Sequence, residues 1–326
     1  MSSLITHGGL PLSEPMAFGL SSSLMFFHLP LIKVGGMPLT SYRMMPGRVV
    51  RGLSRQLGIE MVSRRFRSPE AGMAELDRHL EAGRPVGLQS SVYWLPYFPP
   101  EMRFHFNAHN LIVYGKQGGD YLISDPVFDQ PQVCPAEDLK KARFTRGLFA
   151  PKGLLYYPAR LPREVYYPKA IRKAVRRTVN VMLRTPVPFV GISAIRGLAR
   201  NLARLPARQP DARYRRLYVG FIIRMQEEIG TGGGGFRFMY ASFLQEAGRL
   251  LDNATLLEAS EMMTATGDQW REFAIRGAEI CKRPVGNDST EANDRPEADD
   301  YQGLSQALVA CADQEQAVFR HLLKGF

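Results

Sequence analysis

Long apolar runs are missing from this 326-residue chain. No stretch approaches the ~20 apolar residues that a membrane-spanning helix requires. The nearest, from Val179 to Ile195, is broken by Arg184, Pro186 and Pro188. Cysteine is scarce as well. Cys134, Cys281 and Cys311 are odd in number and far apart, so they form neither a disulfide framework nor a metal-ligand pattern. That scarcity fits a reducing, cytoplasmic setting. The opening MSSLITHGG has no basic region followed by an apolar core, so no signal peptide is expected. Acids are short in one place only. From Arg160 to Arg216, 15 Lys and Arg stand against two acids, Glu164 and Asp211, which accounts for the whole net charge of +11. A patch of this kind implies an acidic partner: an acidic carrier protein, anionic lipid or nucleic acid.

What is present divides at about residue 158. The part before it reads as mixed α/β. Ser13 caps a helix that begins with Glu14-Pro15. Gly47 to Leu57 forms an amphipathic helix stopped by Gly58, and Ser68 to Leu80 repeats that logic with Gly83 as its stop. Pro85 to Gln89 is a short buried strand, followed by the aromatic segment Tyr93-Trp94-Leu95-Pro96-Tyr97-Phe98. Leu154 to Tyr157 is a last strand. Beyond 160 the character is helical. Lys169–Arg184 and Gly191–Leu205 are basic and amphipathic. Tyr214–Ile229, Phe236–Leu251, Ala254–Cys281 and Gln302–Leu323 follow, with an interruption expected at Gly267 and a polar loop from Gly286 to Asp300.

The chemistry concentrates in FNAHNLIVYGKQGGDYLISDP, Phe106 to Pro126. His109 to Tyr114 and Tyr121 to Ser124 are β-rich, and the paired glycines Gly118-Gly119 suit a tight reversal. With Gly115 facing Asp120, His109 falls opposite Asp125 or Pro126 at the open end of the hairpin. An aspartate accepting from one ring nitrogen fixes the imidazole tautomer and leaves the other nitrogen as a base. Gln89 ends a strand where a side-chain amide can assist an oxyanion. Tyr93, with its aromatic neighbours, is a candidate to line a substrate channel, although aromatics beside prolines also serve as core. Thr231-Gly232-Gly233-Gly234-Gly235, leading into a helix beside Arg237, offers amides and a cation to an anion. It is not a phosphate-binding P-loop, because no Gly-Lys-Ser/Thr follows. His105 and His109 are four apart in an extended segment and have no third ligand nearby, so no metal is expected, and no cofactor.

LSEPMAFG (Leu12 to Gly19), GRPVGLQ followed by YWLPY (Gly83 to Tyr97) and HNLIVYG…YLISDP together resemble the N-terminal domain of the butirosin biosynthesis protein H (BtrH-like) family. GTGGGGFRFMYASFLQEAG (Gly230 to Gly248) resembles the helical domain that often follows it. The resemblance implies an α+β fold: a papain-like N-terminal domain with an antiparallel sheet over 1–158, expected to lack its extreme N-terminus, then an all-α domain over 159–326. It implies an acyltransferase that moves an acyl group from an acyl-carrier-protein thioester to an amine or alcohol acceptor in secondary metabolism or lipid biosynthesis. Two alternatives are a catalytically inactive relative that binds a carrier protein or acyl intermediate, and a cysteine peptidase- or thioesterase-like hydrolase. By motif match His109 is the base and Asp125 its partner, with Glu14 near the nucleophile. The family's cysteine precedes the LSE motif, whereas no cysteine here precedes Cys134. The implied partners are an acyl-carrier protein and a small-molecule acceptor, with peripheral contact to an anionic surface and no nucleic acid.

Overall fold

The structure, a computed structural model, describes residues 1–34, 36–228, 232–282 and 297–326. In chain order the elements are α1 (Ser2–His7), α2 (Glu14–Leu20), β1 (Leu24–Val34), β2 (Met37–Arg43), α3 (Pro46–Leu57), β3 (Glu60–Arg64), α4 (Pro69–Glu81) and β4 (Val86–Ser90). Then follow β5 (His109–Gln117), β6 (Asp120–Ser124), β7 (Gln132–Cys134), α5 (Ala136–Phe144) and β8 (Leu155–Arg160). The helical remainder is α6 (Tyr167–Arg184), α7 (Gly191–Ala203), α8 (Leu205–Arg208), α9 (Ala212–Glu227), α10 (Arg237–Leu251), α11 (Ala254–Lys282) and α12 (Glu297–Gly325). The fold class is α+β. Two compact units result: Met1–Ala17 with Met45–Val165, and Phe18–Met44 with Tyr166–Phe326. The hairpin β1–β2 thus belongs to the same unit as the C-terminal helices.

In the first unit one antiparallel sheet runs in the order β3-β8-β4-β5-β6-β7. Alternation along its strands decides the faces. Val86 and Leu88, then Leu111 and Val113, then Tyr121 and Ile123 all turn to one side and pack on Leu76, Leu139 and Ala142 of α4 and α5. The helices end where local chemistry says they should. Ser68 Oγ accepts from the Ala71 amide at the start of α4, and Gly58 takes a left-handed φ of 71° to close α3. On the opposite face of the sheet Gly87 lies under the Tyr156 ring, where a Cβ would stand 2.2 Å from the ring. Only glycine permits that approach.

In the second unit α11 packs on α9, α10 and α12, and α12 on α7. Its core is aromatic, with Trp270, Tyr240, Phe243, Phe273, Tyr301 and Phe319 sealed from water. Gly19 admits the Phe243 ring, which a Cβ would meet at 2.0 Å. The interruption expected at Gly267 does not occur: α11 runs unbroken, and Gly267 is the smooth spot on which the Phe238 ring lies. Of the polar loop expected at 286–300, residues 286–296 lie outside the described residues, and α12 already begins at Glu297.

His28 is a buried polar point of this unit. Its Nδ1 lies 3.0 Å from Thr40 Oγ1 and its Nε2 3.3 Å from the Tyr218 hydroxyl. Burial lowers its pKa from 6.5 to about 4. The unfolded chain therefore takes up this proton first as pH falls, and stability drops between about pH 6.5 and 4, by up to ~3 kcal/mol. Denaturation followed by Trp270 fluorescence in a Trp94→Phe background will show this loss, and His28→Gln will flatten it. An unchanged pH dependence in the variant would refute the assignment.

Candidate functional site

The hairpin β5–β6 is tighter than its composition suggested. Gln117 pairs with Asp120, so the loop is Gly118-Gly119 alone, with φ of 57° and 97°. Both glycines sit at positive φ, which is what a two-residue reversal of this hand demands. A register shift between Val113 and Gly115 then leaves Ile112 opposite Ser124. The expected pairing of Gly115 with Asp120 is replaced, and His109 is not directly across from Asp125. Their side chains meet for a different reason. Leu111 and Val113 share the inward face with His109, as Tyr121 and Ile123 do with Asp125, so the two are diagonal neighbours on one face, within side-chain reach.

They meet at 2.6 Å, His109 Nε2 to Asp125 Oδ2. Asp125 is held by two further donors. The Tyr97 hydroxyl donates to Oδ2 at 2.8 Å, and the Val127 amide donates to Oδ1 at 3.0 Å. The last bond is a local turn, closed as well by the Phe128 amide on the Asp125 carbonyl, and Asp-Pro is the dipeptide that favours it. Burial, with the Asp125 charge beside it, pushes the Tyr97 phenol pKa well up, so it stays a donor. Phe98 meets the His109 ring edge-on at 5.5 Å, and Phe128 packs against Tyr97 and Phe98. The Asp125 side chain is 0% exposed and that of His109 10%. The carboxylate is sealed while the imidazole reaches the surface. Nδ1 makes no hydrogen bond with a described residue, so the free nitrogen is the one able to take a proton.

The other candidates scatter. Glu14 is exposed in the first turn of α2. Gln89 lies on the opposite sheet face from His109 and spends both Nε2 hydrogens on the Asn107 and Phe149 carbonyls, at 2.8 and 2.9 Å. Its amide is a tie between loops, with no donor left for an oxyanion. Tyr93 stacks on His105 at 4.1 Å and lines a cavity of about 420 Å³ with Trp94, Pro96, Pro100, Arg103 and Asp138. Arg237 is fully buried: Nε donates to Glu315 Oε1 at 2.8 Å, NH1 donates to the Gly235 carbonyl, and the guanidinium lies over Trp270. With its charge met by Glu315 it offers nothing to an anionic substrate, which corrects the expectation for the glycine loop. Thr231, the first residue of that loop, lies outside the described residues.

Sequence reasoning named Tyr97 only as one aromatic among several. Its hydroxyl carried no local signal, because the partner is 28 residues away. Ser90 was missed as well. It pairs directly across from His109, is fully buried, and its Oγ has no hydrogen-bond partner among the described residues. Cys134 packs in the apolar core, where burial first, then Asp138 and Asp120, push its thiol pKa up to about 12. Among the described residues no group of three or more His, Cys, Asp or Glu gathers to hold a metal.

An antiparallel sheet that presents an imidazole backed by a sealed carboxylate, carried with a helical unit, defines the class of this molecule. Residues 1–126 match the family described as Butirosin biosynthesis protein H, N-terminal, and residues 137–322 match the Domain of unknown function (DUF4872). The chain belongs to this BtrH-like family, with a BtrH N-terminal domain followed by a DUF4872 domain. No curated protein matches it. His109 and Asp125 both fall within the first match, and Arg237 within the second. Among the described residues no helix is long and apolar enough to cross a membrane.

Tyr97→Phe removes one of three donors from a buried carboxylate, and should cost about 1.5–3 kcal/mol in denaturant titration. A loss under 0.5 kcal/mol, the scale of surface changes, would show that the bond is idle. At pH 8 a thiol ionising near 12 is thiolate about once in ten thousand molecules. Iodoacetamide should therefore leave Cys134 unmodified in the native chain while labelling it in urea, as read by peptide mass.

Proposed function

We propose that this protein is an acyltransferase that moves an acyl group from an acyl-carrier-protein thioester to an amine or alcohol acceptor in secondary metabolism. The observation that carries the reading is the His109–Asp125 contact, with Nε2 committed and Nδ1 open. Family membership supports biosynthesis as the setting. In the same reading residues 1–158 are a papain-like domain, supported by an antiparallel sheet with the base on one strand and its carboxylate just beyond the next, and 159–326 are the helical domain.

The chemistry follows from the residues present. His109 Nδ1 takes a proton from the acceptor nitrogen or oxygen, and the freed lone pair attacks the thioester carbonyl. The tetrahedral intermediate expels the carrier thiolate as the C–S bond breaks. The proton then passes from Nδ1 to the leaving sulfur. Asp125, held by Tyr97 and the Val127 amide, keeps the imidazole in one tautomer and one orientation through the cycle. In the first unit Cys134 is the sole cysteine, and its raised pKa makes it a poor nucleophile. This observation also supports a second reading, in which the chain binds a carrier protein or its acyl intermediate without turnover. A third outcome from the same pair is hydrolysis, with water as acceptor.

Incubation with a panel of acyl-carrier proteins and amine acceptors, read by intact mass, separates these readings. Transfer gives unloaded carrier and acylated acceptor, hydrolysis gives free acid, and the binding protein gives a complex with intact thioester. His109→Gln and Asp125→Asn should keep the fold and lower turnover by about 10²–10⁴-fold. Wild-type rates in both variants would remove the pair from the mechanism.

A further inference from the structure

The cationic segment is not one surface. Beyond α6 the charge is divided: Arg200, Arg204, Arg208 and Arg213 are exposed but spread over separate elements, while two other arginines are tied within the fold. Arg196 donates to Asp313 at 2.5 Å and to Gln316 at 2.9 Å, and Arg215 is buried, with NH1 donating to the Gln209 and Pro210 carbonyls. α6 is different. Its inward face, Ala170, Ile171, Ala174, Val175, Val179 and Met182, is buried. Its outward face carries Lys169, Arg172, Lys173, Arg176, Arg177 and Arg184, all exposed. Among the described residues none of these six meets a carboxylate; Arg172 does stack on the Phe326 ring at 5.6 Å.

These six line a concavity of about 880 Å³, with Tyr166 and Pro168 toward one end and Val181 and Pro186 toward the other. The cations recur turn by turn from Lys169 to Arg177, about 12 Å of helix axis, and Arg184 follows two turns further on. A second helix laid alongside, with carboxylates at i, i+3, i+4 and i+7, presents charges at the same spacing. Four of the six are arginines, whose planar guanidinium takes a carboxylate through two parallel bonds.

We infer that the outward face of α6 is a docking groove for an acidic helix of a carrier protein. The carrier's identity rests on the acyl-transfer reading; the groove's preference for a row of carboxylates does not.

Anisotropy of a fluorescein-labelled holo acyl-carrier protein, titrated with the full chain, tests this. Arg172→Glu/Arg176→Glu should weaken binding at least about tenfold. The charge-matched control Arg65→Glu/Arg67→Glu, on exposed positions of the other unit, should stay within about twofold. Equal losses in the two variants, or none in either, would overturn the proposal. So would duplex DNA, or phosphatidylcholine–phosphatidylserine vesicles, binding as tightly with the same dependence on α6. His109→Gln should dock like the parent. If the α6 variant docks normally while His109→Gln loses turnover, the groove is wrong and acyl transfer stands. If α6 reversal abolishes docking but the parent turns nothing over, the groove stands and acyl transfer falls.

Discussion

Asp125 is a carboxylate with no exposed side-chain surface, and that burial is the constraint around which the first unit is arranged. Removing a carboxylate from water costs several kcal/mol unless its oxygens are met. Three donors meet them here: a ring nitrogen from β5, a phenol from the aromatic segment, and a backbone amide from its own turn. Each bond to a charged group contributes roughly 1.5–3 kcal/mol, so the set offsets a penalty that no single bond would. Because the donors come from three parts of the chain, satisfying one oxygen pair also positions the 92–98 segment, the start of β5 and the end of β6 together.

The second unit solves the same problem with a cation. Glu315 Oε1 accepts from Arg237 Nε and, at 2.6 Å, from Trp270 Nε1, with the guanidinium sandwiched near two aromatic rings. Pairs of this kind hold elements in register more than they add stability, and losing one partner strands the other. The contrast between the two clusters separates a candidate site from a structural one. In the first, one nitrogen is left open at the surface; in the second, the charge is closed in hydrocarbon.

A base held this way suits proton transfer, and a row of exposed cations that meet no carboxylate among the described residues suits an acidic partner. The two features lie in different units and draw on different physics. The first is a matter of one tautomer fixed over short range. The second is longer-range attraction that weakens with salt. Family membership places the first of them in a biosynthetic setting.

Much was legible along the chain. Ser68 and Gly58 mark helix ends by chemistry that acts within three or four residues. The paired glycines announced the hairpin, and its two strands brought His109 toward Asp125 at the open end. The register was not legible, because a shift at Tyr114 and a two-residue loop depend on the strands on either side. The hairpin β1–β2, with its shifts in register, and the short strands β3 and β7 escaped notice for the same reason: their pairing partners supply the stability that their own residues do not signal. Tyr97 as donor, Gln89 as loop tie, Arg237 as buried ion and the pairing of Arg196 were decided only in three dimensions. Caps and periodicity work through neighbours a turn apart, and sequence displays those directly. Whether a polar group is spent or open depends on partners 16 to 120 residues away, which only the packed chain brings within reach.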